Sequence, residues 1–168
     1  MKRVDGIILA PMKHAKTEIE KLLDEKYPFV LFDRYFDELD TNYVIIENEQ
    51  ASHDLTRHLI GKGKRKIAVV TTNPHLTTMK LRYQGYLRAL DEAGIDRDER
   101  LYGEVEISDY EKDTDRVLDR ILNDGPDVDG FFFTTHILAL EAFGYFAERG
   151  IDIHGGDGWA SVHSTRSF

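Results

Sequence analysis

The stretch Lys66-Ile-Ala-Val-Val-Thr-Thr-Asn-Pro-His-Leu-Thr-Thr-Met-Lys-Leu-Arg-Tyr-Gln-Gly-Tyr-Leu-Arg-Ala-Leu90 limits what this chain can fold into: a short apolar run, a polar turn, then an amphipathic helix. Residues 67–70 are apolar and mostly β-branched, which suits a strand buried on both faces, as in parallel sheets covered by helices. Asn73-Pro74 ends the strand. Met79, Tyr83, Tyr86, Leu87 and Leu90 then recur at three- and four-residue steps and form one apolar stripe, which Gly94 closes. Arg82 is the exception. It flanks the buried stripe near the helix start, beside the carboxyl end of the strand, where open α/β sheets bind ligands.

The rest of the chain repeats this unit. Strands are expected over 7–10, 29–32, 43–46, 101–107, 130–133 and 159–162, and helices over 17–26, 49–60, 111–123 and 137–148. Thr17 with Glu20 has the spacing of a capping box, and Pro28 blocks continuation of the first helix. The run at 43–46 follows an acidic turn and need not lie in the same sheet as its predecessors. Leu55, Leu59 and Ile60 are the expected apolar positions of the 49–60 helix. Val117, Leu118, Ile121 and Leu122 play that part in the next helix, and Leu138, Ala142, Phe143 and Phe146 in the last. Strands joined through helices imply parallel sheets with right-handed crossovers. A change of lobe is expected near residues 48–50.

Several chemistries lack their signatures. The 31 acidic against 22 basic residues give a net charge of −9, which argues against this stretch itself gripping nucleic acid or an anionic membrane. There is no cysteine, hence no disulfide or thiolate chemistry. No apolar run approaches the roughly 20 residues of a membrane span. His53 and His58 are five apart, not the spacing of two ligands on one helical face, so no metal is expected. Ser108, Ser161, Ser164 and Ser167 lie in no nucleophile elbow. No glycine-rich motif opens a helix to seat a dinucleotide, and Gly61-Lys62-Gly63-Lys64 precedes a strand, as a solvated turn does. No cofactor is expected. Both ends of the sequence read as lying inside a fold, so a truncated core is expected.

The strand ends gather polar groups. Asp33-Arg34 ends the second strand, Thr71 to Asn73 the strand before the organising helix, and Asp109-Tyr110 follow Ile107. Thr134-Thr135-His136 follow Phe133, and His163-Ser164 follow Val162. A carboxylate, a rigid fork of donors and a flat aromatic face together suit a polyhydroxylated molecule. Each residue also has a plain structural alternative. Asp33-Arg34 as a surface ion pair would contribute roughly 0–1 kcal/mol, Arg82 would snorkel to solvent, Tyr110 would be a core or loop aromatic, and His136 and His163 ordinary loop or helix-start histidines.

Pro28-Phe-Val-Leu-Phe-Asp-Arg34, His58-Leu-Ile-Gly-Lys-Gly-Lys-Arg-Lys-Ile-Ala-Val-Val70 and Arg82-Tyr-Gln-Gly-Tyr-Leu-Arg-Ala-Leu-Asp-Glu-Ala-Gly-Ile95 occur in that order, and together they resemble the effector-binding core of LacI/GalR-type transcription regulators. The resemblance implies a periplasmic-binding-protein-like (type I) α/β fold, with parallel sheets flanked by helices in two lobes. Residues 1–48 would be an incomplete first lobe and 49–168 the second. By position it implies ligand contacts from Asp33, Arg34, Arg82 and Tyr110. Thr135-His136 stand where many members have Asn-Asp, and His163 where many have an acid, so either a variant ligand, such as an acidic one, or a differently used second lobe is expected.

The resulting expectation is an allosteric sensor rather than an enzyme. A sugar-like effector is bridged by Asp33, Arg34, Arg82, Tyr110, Thr135, His136 and His163, in a cytoplasmic homodimer that reaches operator DNA only through a headpiece absent from this sequence. The rivals are a periplasmic sugar receptor serving a transporter, and a small α/β enzyme using His136 or His163 as base.

Overall fold

Two parallel sheets arise from the alternation of short apolar runs and helices. The computed structural model describes residues 4–12, 14–106, 109–125, 127–151 and 158–162. In chain order the elements are β1 (Ile7–Leu9), α1 (Lys16–Asp24), β2 (Phe29–Phe32), β3 (Tyr43–Val44), α2 (Asn48–Gly61), β4 (Ile67–Thr72), α3 (Thr77–Glu92), β5 (Tyr102–Val105), α4 (Tyr110–Asp124), β6 (Gly130–Phe133), α5 (His136–Glu148) and β7 (Trp159–Ser161). The first sheet has the order β1-β2-β3 and the second β5-β4-β6-β7, and every pair is parallel.

The second sheet holds most of the core. Every residue of β4 is buried, because its alternating side chains enter two separate clusters. Ala68 and Val70 join Phe131, Phe133, Val117, Leu118, Ile121, Leu138 and Phe146 on the face covered by α4 and α5. Ile67 and Val69 join Phe132, Leu59, Tyr86 and Leu90 on the face covered by α2 and α3. Helices on both faces explain why β4 and β6 are continuous apolar runs rather than alternating ones.

The first sheet is thinner. Among described residues before Asn48, only Ile19 and Leu31 are buried hydrophobic side chains. The register pairs Ile8 with Val30 and Phe32 with Val44, so these four share one face. Ile8, Phe32 and Val44 there are 79%, 53% and 57% exposed. The run expected at 43–46 shortens to Tyr43–Val44, and it does pair with β2 as a third strand of the same sheet.

Local expectations are corrected in three places. Ala15, not Thr17, is the N-cap of α1, and no side chain caps that end, so the Thr17/Glu20 box is not formed. The fifth strand begins at Tyr102 rather than Leu101, because the Asp98 carboxylate accepts the Arg100 amide at 3.0 Å and winds Glu99–Leu101 into a 3-10 turn. The buried stripe of α2 is Asn48, Ser52, His53, Thr56 and Leu59, with Leu55 and Ile60 only partly buried. Small and polar residues face α3 because the two backbones nearly touch: a Cβ on Gly85 would lie 2.1 Å from the Glu49 carbonyl oxygen and 2.8 Å from the His53 amide nitrogen. Gly94 and Gly150 do take the left-handed conformation, with φ of 64° and 63°, just past the ends of α3 and α5.

Candidate functional site

Because the strands of each sheet are parallel, the loops after them collect at one edge. The loops after β1, β2 and β4 enclose a cavity of about 260 Å³ whose lining includes Met12, Arg34, Tyr35, Asp37, His75 and Thr78. That volume is just below the roughly 300–1,000 Å³ of ordinary ligand pockets, so it suits a small molecule. A larger groove of about 570 Å³, lined by Tyr83, Tyr86, Tyr102 and Arg120, lies away from these strand ends. Position at the carboxyl edge singles out the smaller one.

Arg82 organises the second-sheet side. It sits on the second turn of α3 and is only 6% exposed. Its Nε donates to Asn48 Oδ1 at 2.8 Å and its Nη1 to the Thr134 carbonyl at 2.6 Å. It thus ties α3 to the start of α2 and to the end of β6. Thr134 Oγ1 in turn donates to Thr71 Oγ1 at 3.0 Å, linking the ends of β6 and β4. Burial pushes the guanidinium below its ordinary pKa; the charge of Asp33 raises it and that of Arg34 lowers it further. Arg82 therefore feels the end of β2, across the gap between the sheets. Thr72 Oγ1 and Ser161 Oγ, at the ends of β4 and β7, are enclosed and have no partner among the described residues.

On the first-sheet side Asp33 adopts φ of 70°, a left-handed conformation that a non-glycine residue takes at a cost and that concentrates at functional sites. Its carboxylate lies 3.7 Å from Arg34 Nε, both half-exposed. Tyr35 stacks on Tyr43 with ring centroids 4.2 Å apart, and burial, followed by the neighbouring Asp37, raises its pKa. Thr77 Oγ1 donates to Asp37 Oδ2 at 3.1 Å, a direct link between the two sides of the cavity.

Of the expected contacts only Arg34 lines the cavity; Asp33 and Arg82 stand at neighbouring strand ends without lining it, and the others are dispersed. Tyr110 is the first residue of α4, partly buried against the α4/α5 core. Thr135 caps α5, its Oγ1 accepting the Leu138 amide at 3.4 Å, and His136 follows it, partly buried. His163 lies outside the described residues, as do Ile107 and Ser108. Sequence reasoning brought out Asp33, Arg34 and Arg82, and set Thr134 among the strand-end polar groups without its role, but missed Asn48, Asp37 and Thr77. The signal for Asn48 was a polar residue where a strand passes into a helix; Thr134 acts through its backbone carbonyl, which no side-chain pattern reveals. Among the described residues no cluster of His, Asp or Glu is placed to hold a metal ion, and no helix is long and apolar enough to cross a membrane.

A family model for periplasmic binding proteins and the sugar-binding domain of the LacI family matches residues 1–157. The HTH-type transcriptional repressor PurR of Mannheimia succiniciproducens is 30% identical over 173 residues, covering 99% of this chain and 51% of that protein. The HTH-type transcriptional regulator CelR of Thermobifida fusca is 32% identical over 143 residues, covering 83% and 41%. Among solved structures, a transcriptional regulator CelR–cellobiose complex superposes with a TM-score of 0.77 at 26% identity, covering 94% of this chain and 48% of that one. CcpA of Lactococcus lactis, at 24% identity with a TM-score of 0.79 and coverage of 94% and 57%, shares the fold. The chain spans about half the length of the curated relatives it matches.

Proposed function

The chain belongs to the family of periplasmic binding proteins and LacI-type sugar-binding domains, and from that premise we propose that it is the effector-sensing part of a transcription regulator. The observation that carries this reading is the environment of Arg82. One buried guanidinium holds the α2 start and the β6 end and feels the charges of Asp33 and Arg34 on the other sheet. A small polar ligand in the cavity at these strand ends touches both sheets, and it biases their relative position by its differential affinity for the two arrangements.

In this reading the effector is sugar-like, Asp33 and Arg34 hold it from one side, and Arg82 from the other. Thr135 and His136 extend the site from the end of β6, and Tyr110 from the start of α4; for His163, outside the described residues, a contact is proposed from its position in the sequence alone. The lobe boundary falls at Asn48, where the chain leaves the three-stranded sheet. Support for a regulator rather than a transport receptor or an enzyme comes from the relatives' own names; the CelR structure is a cellobiose complex. Operator DNA is contacted by a helix-turn-helix headpiece rather than by this acidic core, in a cytoplasmic homodimer.

The test is a thermal-shift panel of sugars, sugar acids and sugar phosphates on the wild-type chain and on Arg82→Ala. A ligand at 100 times its dissociation constant stabilises by about 2.7 kcal/mol, and Arg82→Ala weakens its binding at least tenfold, about 1.4 kcal/mol. Undiminished affinity in that variant removes Arg82 from the site.

A further inference from the structure

Tyrosines gather at a place that the effector cavity does not use. The groove of about 570 Å³ lies beside β5, the outer strand of the second sheet, and its lining includes Tyr83, Tyr86, Leu87, Tyr102 and Arg120. No residue lines both this groove and the smaller cavity. Its volume falls inside the roughly 300–1,000 Å³ of ordinary ligand pockets. Tyr83, expected in the buried stripe of α3, is only partly buried, as are Leu87 and Tyr102. The rings of Tyr83 and Tyr86 stack with centroids 6.0 Å apart, and Tyr102 meets Tyr83 edge-on at 5.2 Å.

The polar groups of the groove are unequally used. Tyr86 donates its hydroxyl to the Ile67 carbonyl at 2.7 Å, and Tyr102 its hydroxyl to Glu104 Oε2 at 3.2 Å. Among the described residues no atom hydrogen-bonds the Tyr83 hydroxyl. Burial raises the pKa of both Tyr83 and Tyr102, so neither phenol becomes an anion at neutral pH. On the rim, Arg97 is held by Asp91 and Asp98 by Arg100, each at 2.6 Å. Arg120 differs. Its guanidinium donates to the carbonyls of Arg100 and Tyr102, which are neutral, and among the described residues it forms no ion pair. Glu99, the remaining acid of the rim, is exposed, whereas Arg120 is partly buried, so water weakens the acid's field more than the guanidinium's. Arg120 also occupies the Tyr102 carbonyl at the start of β5, which hinders pairing of another strand there.

We infer that this groove is a second binding site, for a small aromatic carboxylate whose ring lies against Tyr83 and Tyr102 and whose anionic group pairs with Arg120. The inference goes beyond the sensor reading and does not depend on it. An aromatic ring gains offset or edge-on contact with the tyrosines and covers Leu87. A carboxylate matches the planar fork of a guanidinium, which keeps further N–H donors after its bonds to the two carbonyls. Face and charge stand side by side, because Arg120 bonds the backbone of Tyr102 itself.

The probe is para-hydroxybenzoate, titrated into the 168-residue chain and followed by the NMR signals of its amides. Two matched compounds separate the features recognised: para-hydroxybenzyl alcohol keeps the ring without the charge, and para-hydroxycyclohexanecarboxylate keeps the charge without the aromatic face. Tyr83→Leu keeps apolar packing in α3, and Arg120→Gln keeps donors for the β5 side without the charge; circular dichroism checks that each is folded. The expected result is saturable shifts at the amides of Tyr83, Tyr102 and Gly103, with those of β1 to β3 unmoved. Both matched compounds and both variants should bind weaker by about tenfold or more, about 1.4 kcal/mol. Absence of saturable shifts at those amides overturns the inference, as does equal affinity for either matched compound or undiminished affinity in either variant. Should Arg120→Gln fail to fold, Tyr83→Leu and the matched compounds decide it. Sugar binding without aromatic-acid binding leaves the sensor reading standing and removes only this second site.

Discussion

Gly85→Ala tests how α2 and α3 are held together and whether that packing reaches the site. A Cβ at this position would lie 2.1 Å from the Glu49 carbonyl oxygen, whereas ordinary contact begins near 3.4 Å, so the two backbones must separate by about 1.3 Å along that line. The three nearest atoms are all backbone, which cannot swing aside as a side-chain tip does. Overpacking of this kind costs about 3 kcal/mol, the upper end of its usual range. The better helix propensity of alanine offsets about 1 kcal/mol. The net loss is about 2 kcal/mol, a fall of roughly 4–8 °C in Tm for a chain of this size. Urea denaturation followed by far-ultraviolet circular dichroism measures it, with the m value unchanged. Asn48 immediately precedes Glu49, so the same displacement draws Asn48 Oδ1 away from its 2.8 Å contact with Arg82, and ligand affinity falls as well. A denaturation midpoint at or above wild type would refute the close-packing argument, and intact affinity with lowered stability would refute its link to the site.

Asp33→Gly relieves a left-handed backbone at φ of 70°, so it raises stability slightly, by about 0.5 kcal/mol, while ligand affinity drops; a loss of stability would show that Asp33 is held for structure instead. Asp129→Ala removes the carboxylate that accepts the Arg65 and Lys66 amides at 2.8 Å each, and the loss, about 1–2 kcal/mol, is read by denaturation midpoint. Asp54 and Glu92 both have pKa values lowered, first by hydrogen bonds from His53. A carboxylate depressed in the fold contributes stability that is fully present above its unfolded value and lost as the pH falls through its folded value. Melting temperature should therefore decline below about pH 4 more gently in His53→Gln than in wild type, and identical acid profiles would exclude His53 as the cause.

What the sequence revealed follows from where apolar side chains do the packing. The Gly130–Phe133 strand and the inward set Val117, Leu118 and Ile121 were legible because each meets a layer of apolar neighbours. The inner face of α2 was not, because Ser52 and Thr56 are buried there to let backbones approach at Gly85; periodicity finds greasy faces, not close ones. The 3-10 turn at Glu99–Leu101 depends on one carboxylate, Asp98, capping a neighbouring amide. At the candidate site, Arg82 announced itself as a charge beside an apolar stripe, and Asp33-Arg34 as a polar pair at a strand end. Their supports were silent, since Asn48 lies 34 and Thr134 52 residues from Arg82 in the chain. Thr134 moreover serves through its backbone carbonyl.

The two sheets differ in how firmly they are built. The second has β4 buried on both faces, whereas β1, β2 and β3 have three, four and two residues and leave Ile8, Phe32 and Val44 uncovered on one face. Local opening free energies follow such differences in burial, so amide hydrogens of β1 to β3 should exchange with solvent well before those of β4 and β6. A molecule gripped between a rigid wall and a looser one orders mainly the looser one. The slowing of amide exchange on binding should therefore be concentrated at Leu31 and Asp33, whose amides bond to Asn42 and Val44, and the ligand would be registered as a loss of motion in the weaker sheet.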